Sequence, residues 1–212
     1  MKRLTILMLL AGIFIGATSA YGQPPASRGK ASFDPCPGGG GTSILETITV
    51  PSLDRLVRIS ELILVGTVVN VLPATRMDPD HWILIETTSL ISVNEVLFGK
   101  LAPGTKTISM SQEGGRVEPC TLLVADDPLV KFGEEYVLFL VADRRTIPPN
   151  TTGSPRYTPV GVWSGKAKIV GDKVQFLPAA SQGLHQYDNT DVLMFVATLK
   201  SRINALLPKR TP

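Results

Sequence analysis

The sequence predicts a mainly β protein: a small barrel with a short helix before it and an amphipathic helix after it. Three observations carry this. Residues 61–72 form a long run whose alternating sets are both apolar, Leu62, Leu64, Val68 and Leu72 on one side and Ile63, Val65, Val69 and Val71 on the other. A strand with two apolar faces must be covered on both, as in the wall of a packed barrel. Further strand-length apolar runs follow, separated by Gly, Pro and Asp turn signals. Only the last apolar stretch, residues 190–207, changes from a period of two to helical spacing.

Taken in order, Met1-Lys2-Arg3, the apolar run at 4–17 and Thr18-Ser19-Ala20-Tyr21-Gly22 give the charged start, short apolar core and small-residue exit of a secretory signal. Residues 1–22 are therefore expected to be a cleaved signal peptide, with cleavage before Gln23 favoured and cleavage after Ala20 the alternative. The apolar core falls short of the roughly 20 residues a membrane helix needs, and no Cys ends it that could carry a lipid. The formal charge of +3 drops close to zero when Lys2 and Arg3 leave with the signal, so the mature chain has no electrostatic footprint for nucleic acid or anionic membrane. Its length suits one domain, expected at 51–212. Export places Cys36 and Cys120, the only cysteines, where oxidation is possible. A Cys36–Cys120 disulfide is expected, tying the N-terminal segment to the middle of the chain and worth on the order of 4 kcal/mol by loop-closure entropy.

Residues 23–50, with Pro24-Pro25 and Gly38-Gly39-Gly40-Gly41, read as a flexible lead-in, ending in a short strand or edge segment over 43–50. Ser52 caps a helix over 53–60 with Leu53, Leu56, Val57 and Ile59 on its apolar side. The central strand comes next, and Gly66 within it marks a bend, bulge or close approach. Pro73, Asp78 and Pro79 turn the chain back. Residues 82–97 predict a second long strand with Ile83, Ile85, Ile91 and Val93 in one set, and Val96-Leu97 break the alternation as a bulge would. Residues 105–112 predict a third strand with Ile108 and Met110 on one face, 121–125 a short one, and 137–141 another. Residues 142–156 read as a long exposed loop, the kind of segment that is functional or disordered. Gly171-Asp172 is a two-residue hairpin turn between 166–170 and 173–177, placing Ala167 and Ile169 opposite Val174 and Phe176. In the last helix Val192, Phe195, Val196, Leu199, Ile203 and Leu206 form the apolar stripe, with Asn189 as the cap, Asp191 in the first turn and Pro208 as the stop.

Catalytic signals are sparse. Asp78, Asp80 and His81 lack a spaced partner for a metal, so no metal or cofactor is expected. Glu134 and Glu135 are neighbours on a strand and point to opposite faces. Gly161-Val162-Trp163-Ser164-Gly165 is near the serine elbow with its serine one place late. His81 and His185, the only histidines, sit in no nucleophile motif. Asn150-Thr151-Thr152 matches a glycosylation acceptor. No catalytic residue is assigned.

Several stretches together resemble a broad set of exported bacterial proteins whose pattern is similar to the tissue inhibitor of metalloproteinases and netrin-module superfamily. They are Ser60-Glu61-Leu62-Ile63-Leu64-Val65-Gly66-Thr67-Val68, Ile91-Ser92-Val93-Asn94-Glu95-Val96-Leu97-Phe98-Gly99, Gly133-Glu134-Glu135-Tyr136-Val137-Leu138-Phe139-Leu140 and Gly161-Val162-Trp163-Ser164-Gly165. The resemblance implies an OB-like, five-stranded Greek-key barrel. The inhibitors of that superfamily use a Cys-x-Cys at the mature N-terminus. This chain has Cys36-Pro37-Gly38 well inside it, so inhibition does not carry over. The expectation is an exported, non-enzymatic module presenting loops to a protein or cell-envelope partner. The alternatives are a small hydrolase using loop carboxylates such as Asp78, Asp80, Asp126 or Asp127, and a protease inhibitor acting through the 142–156 loop.

Overall fold

The central run becomes strand β2, Leu62–Val71, flanked by the longest strand, β4 (Ile85–Phe98), and by β8 (Glu135–Ala142). The computed structural model describes residues 41–43, 50–76, 85–118, 120–125, 127–144 and 153–207. All lie in the second of the chain's two compact units, Met1–Lys30 and Ala31–Pro212. Besides the strands just given, the order is β1 (Gly41–Ser43), α1 (Leu53–Ile59), β3 (Thr75–Arg76), β5 (Thr107–Glu113), β6 (Gly115–Val117), β7 (Cys120–Val124), β9 (Arg156–Pro159), β10 (Lys166–Val170), β11 (Lys173–Phe176), α2 (Gln182–His185) and α3 (Val192–Leu206). The signal segment, Cys36, Asp78, Asp80, His81, Trp82, Asp126, the glycosylation acceptor and Pro208 lie outside the described residues.

Five strands close a barrel. β2 pairs antiparallel with β4 and β8, β4 antiparallel with β5, β5 parallel with β9, and β9 antiparallel with β8. This circuit, with its third and fifth staves parallel, is the OB-like Greek-key barrel expected. The β10–β11 hairpin extends the sheet from the other part of β8's edge. A small sheet, β1-β7-β6, stands apart from the circuit. β1 pairs parallel with β7, Gly41 opposite Leu122, and residues 44–49 of the expected 43–50 segment lie outside the described residues.

The barrel is coiled by bulges. Register shifts fall between Ile63 and Leu64, Val65 and Gly66, and Val68 and Asn70. Ile63 lies opposite Phe98 and Leu64 opposite Val96, so Leu97 is the extra residue its sequence suggests. The shift at Val69 has a further effect. A one-residue slip moves the following side chains to the other face, so Val71, not Leu72, packs on the interior with Leu62, Leu64 and Val68, and Val69 is exposed.

Two apolar layers result. Inside the barrel, Leu62, Leu64, Val68, Ile91, Ile108, Met110, Tyr136, Leu138 and Leu140 pack together. Outside it, Ile63, Val65, Val137 and Phe139 meet the helices and the hairpin: Leu53, Leu56 and Val57 of α1, Ala167, Ile169, Val174 and Phe176, and Phe195, Val196, Leu199 and Ile203 of α3. Full burial of side chains of this size is worth about 1.5–3 kcal/mol each, which explains why α3 needs little intrinsic propensity. Phe195 meets Phe176 and Tyr187 edge-on, with centroids 6.0 and 5.6 Å apart. Ser52 caps α1 by accepting from Arg55 N at 3.3 Å. The cap of α3 is Asp191, whose Oδ1 accepts from Leu193 N and Met194 N at 2.9 and 3.3 Å. Asn189 instead takes a left-handed conformation, φ 62°. It turns the chain out of the β11 edge, which Asn189 N and Val174 N close by reciprocal bonds with Val174 O and Thr190 O.

Candidate functional site at the barrel seam

β8 has one free edge and two strands compete for it. Its first half pairs with β10, through Glu135, Tyr136, Val137 and Leu138, and its last three residues pair with β9. Phe139 is the changeover. Its N–H donates to Gly165 O at 2.9 Å, and its carbonyl accepts from Val160 N at 2.9 Å. The corner between the two partners is Gly161-Val162-Trp163-Ser164-Gly165, whose role here is architectural. A Cβ at Gly165 would lie 2.5 Å from Val160 N and 2.8 Å from Phe139 O. Val162 takes φ 53°, a strained conformation for a β-branched residue. Trp163 Nε1 donates to Ala125 O at 3.2 Å, and Ser164 is buried.

β9 parts from β5 after pairing through Ser109 and Met110, while it stays on β8 as far as Pro159. The gap is a small open cleft lined by Ser111, Gln112, Glu113, Asp127, Thr158, Pro159 and Val162. Its inner side is plugged by the segment leaving β7. Gln112 Oε1 accepts from Val130 N at 3.1 Å and Gln112 Nε2 donates to Pro128 O at 3.4 Å, which seats Val130 in the barrel interior. Lys166, at the start of β10, points the same way as Leu138, its partner on β8. It reaches Asp127 Oδ1, and both side chains are sealed, at 1% and 3% exposure. Burial pushes the Asp127 carboxyl up despite the pull of Lys166, and burial pushes the Lys166 amine down despite Asp127. Among the described residues, Ser111 Oγ, buried on the cleft wall, has no hydrogen-bond partner.

Beside this lies a second network. Glu134 accepts from Lys168 Nζ and Tyr136 OH at 2.6 Å each, and from Lys131 N at 2.8 Å. Burial alone would raise its carboxyl, but the three donors outweigh that and hold it below the usual range. Tyr136 is raised by burial and by Glu134. Glu135 faces away and accepts from Asn94 Nδ2 at 2.9 Å, so the two glutamates form no dyad.

Arg156 opens β9 between two sealed carboxylates. Nη2 lies against Glu86 Oε1 of β4, and Nε donates to Asp143 Oδ2 at 2.8 Å, with Glu86 and Asp143 each 2% exposed. Arg156 O also accepts from Asp143 N at 3.1 Å. Burial lowers the Arg156 guanidinium. Glu86 stands at the end of the connection 72–84, and Asp143 and Arg156 close the connection 143–155. One guanidinium therefore ties together the bases of two of the barrel's connections. Outside it, exposed Arg144 pairs with Glu61 at 2.7 Å.

Of the loop carboxylates Asp78, Asp80, Asp126 and Asp127, only Asp127 is described, and it is committed to Lys166. Cys120 is buried beside Ile85 and Leu122. His185 holds Asp188 through Nδ1 at 2.8 Å and Ala180 O through Nε2 at 3.0 Å, a fold contact beside α2. Of the expected 142–156 loop, residues 145–152 lie outside the described residues, and Asp143 and Arg156 are engaged in the triad. Sequence reasoning missed Lys166, Glu86 and Arg156. The one available signal was their place at or near strand starts, where a charged residue ordinarily reads as solvated.

Among the described residues no three His, Cys, Asp or Glu side chains converge to hold a metal, and no helix is long and apolar enough to cross a membrane. No known protein family's sequence pattern matches the chain, and comparison with curated proteins gives no match.

Proposed function

We propose that this chain is an exported, non-enzymatic binding module, held by a Cys36–Cys120 disulfide and related to the tissue inhibitor of metalloproteinases and netrin-module superfamily, whose barrel rim engages a protein or cell-envelope partner. The observation that carries this reading is the buried Glu86–Arg156–Asp143 triad. OB barrels bind through the connections after their first and fourth staves and the adjoining face of the second and third. Here those connections are 72–84 and 143–155, and a single sealed guanidinium fixes where both originate. A rigid origin reduces the ordering cost of binding. The reactive candidates, by contrast, are engaged with one another: Asp127 with Lys166, and Glu134 with Lys168 and Tyr136.

The test is capture of the secreted protein with a short amine-reactive crosslinker, followed by mapping of crosslinked peptides. The reading expects one near-stoichiometric species linked at or beside the two connections. It expects that species to be lost with Arg144→Glu, a change at an 80% exposed side chain on the rim. A partner retained by Arg144→Glu and linked only through the α3 face would overturn it, as would an empty capture.

A further inference from the structure

We propose that Lys166 and Asp127 are joined by an intramolecular isopeptide bond, Nζ to Cγ, which covalently fastens β10 to the segment plugging the barrel seam. The two side chains come from elements 39 residues apart and touch inside the protein, with 1% and 3% of each exposed. Donor counting favours the bond over an ion pair. A lysine ammonium carries three donors. Among the described residues, Lys166 Nζ has Asp127 and, at 3.5 Å, Pro128 O, the second beyond the usual 2.7–3.2 Å reach of an N–H donor. A sealed ammonium short of acceptors is a costly group. An amide needs one acceptor for its N–H and one donor for its carbonyl. The Gln112 side chain, which hydrogen-bonds Asp127, stands on the carbonyl side, and the single N–H left on Nζ has only Pro128 O, 3.5 Å away, to approach.

The step balances without a co-reactant. A proton passes from the ammonium to the carboxylate, giving amine and acid. The Nζ lone pair attacks Cγ, one Cγ–O bond breaks, and that oxygen departs as water, so that –NH3+ and –COO− become –CO–NH– plus H2O. Burial has already moved both groups toward the neutral forms that react, Asp127 upward and Lys166 downward. The other charged groups of the cluster do not compete. Glu134 contributes a field at Lys166, while its oxygens are taken by Lys168, Tyr136 and Lys131 N.

The measurement is the intact mass of the purified mature wild-type chain, fully denatured and with cysteines reduced, followed by tryptic mapping. The expected mass is that of the sequence less one water, with the peptides carrying Asp127 and Lys166 recovered as one branched species and no cleavage after Lys166. Lys166→Met and Asp127→Ala should each restore the full mass. A denatured wild-type chain of full mass overturns the proposal, and so does a lost water that maps to any other residue pair. Neither result depends on a variant folding.

Discussion

Gly165→Ala tests the account of the seam most directly. The added methyl would lie 2.5 Å from Val160 N, 2.7 Å from Val160 O and 2.8 Å from Phe139 O. All three are backbone atoms of paired strands, so no flexible side chain can yield. Restoring ordinary contact at 3.4 Å requires about 0.9 Å of movement. That displacement takes the Phe139 N–H to Gly165 O bond and the Val160 N–H to Phe139 O bond, each 2.9 Å, out of the hydrogen-bonding range. Two such buried bonds lost or weakened cost about 1–3 kcal/mol, and overpacking adds about 1–3 kcal/mol. The sum is about 2–6 kcal/mol. Urea unfolding followed by far-ultraviolet circular dichroism measures it as a shift in midpoint at unchanged slope. Gly104→Ala is the comparison. Gly104 has φ 80° and open space where its Cβ would go, so it should lose only the roughly 1–2 kcal/mol of a left-handed alanine. A Gly165→Ala protein within about 0.5 kcal/mol of wild type, the ordinary scatter of surface changes, would refute the changeover at Phe139.

Arg156→Met should cost about 3–5 kcal/mol, as removal of one side of a buried ion pair does, because Glu86 and Asp143 stay sealed in place without the guanidinium between them; thermal unfolding measures it, and a loss under about 1 kcal/mol would contradict the triad. Asp191→Ala should lose about 0.5–2 kcal/mol of helix capping, whereas Asn189→Gly, at φ 62°, should be neutral or stabilising; the reverse order in urea midpoints would restore Asn189 as the cap. His185 is raised chiefly by its hydrogen bond to Asp188. Its contribution is therefore fully present below its ordinary value near 6.5 and is lost as pH rises through the higher folded value. Urea midpoints taken from pH 5.5 upward should converge between wild type and His185→Phe in that window, and a gap that widens with pH would reverse the assignment.

Much of the barrel is legible in the residues, for a physical reason. β2 and β8 are covered on both faces over most of their length, so their apolar content exceeds what any loop carries, and Gly171-Asp172 specifies its turn locally. Even the bulge at Leu97 shows as a break in alternation. β9 is different. Arg156-Tyr157-Thr158-Pro159 has neither alternation nor a run, and it is a strand because two neighbouring edges need its backbone. The sequence put the cap of α3 at Asn189, whereas Asp191 holds it; both residue types suit the position, and only the backbone path separates them. The site was the least legible part. Lys166 is buried because Asp127 stands beside it, and a pairing across 39 residues leaves no trace in local pattern. Arg156 likewise depends on Glu86 and Asp143, which come from two other strand ends.

The closing stave sets how this protein should breathe. β9 contributes four residues, joined to β8 at three positions and to β5 at two, whereas β2 and β4 share a ladder along nearly their whole length. The barrel is thus an open sheet of long hairpins sealed by one short strip. Partial openings in folded proteins follow such gradients of local bonding. Amides of Tyr157 and Thr158 should exchange with solvent deuterium well before those of Leu64 or Leu138, through a motion that unzips one strip while the two apolar layers stay packed. Closure, resting on the two shortest ladders of the circuit, should also be the last event of folding. An intermediate lacking it would be a curved sheet with β5 and the end of β8 bare, two edges open to pairing with another chain.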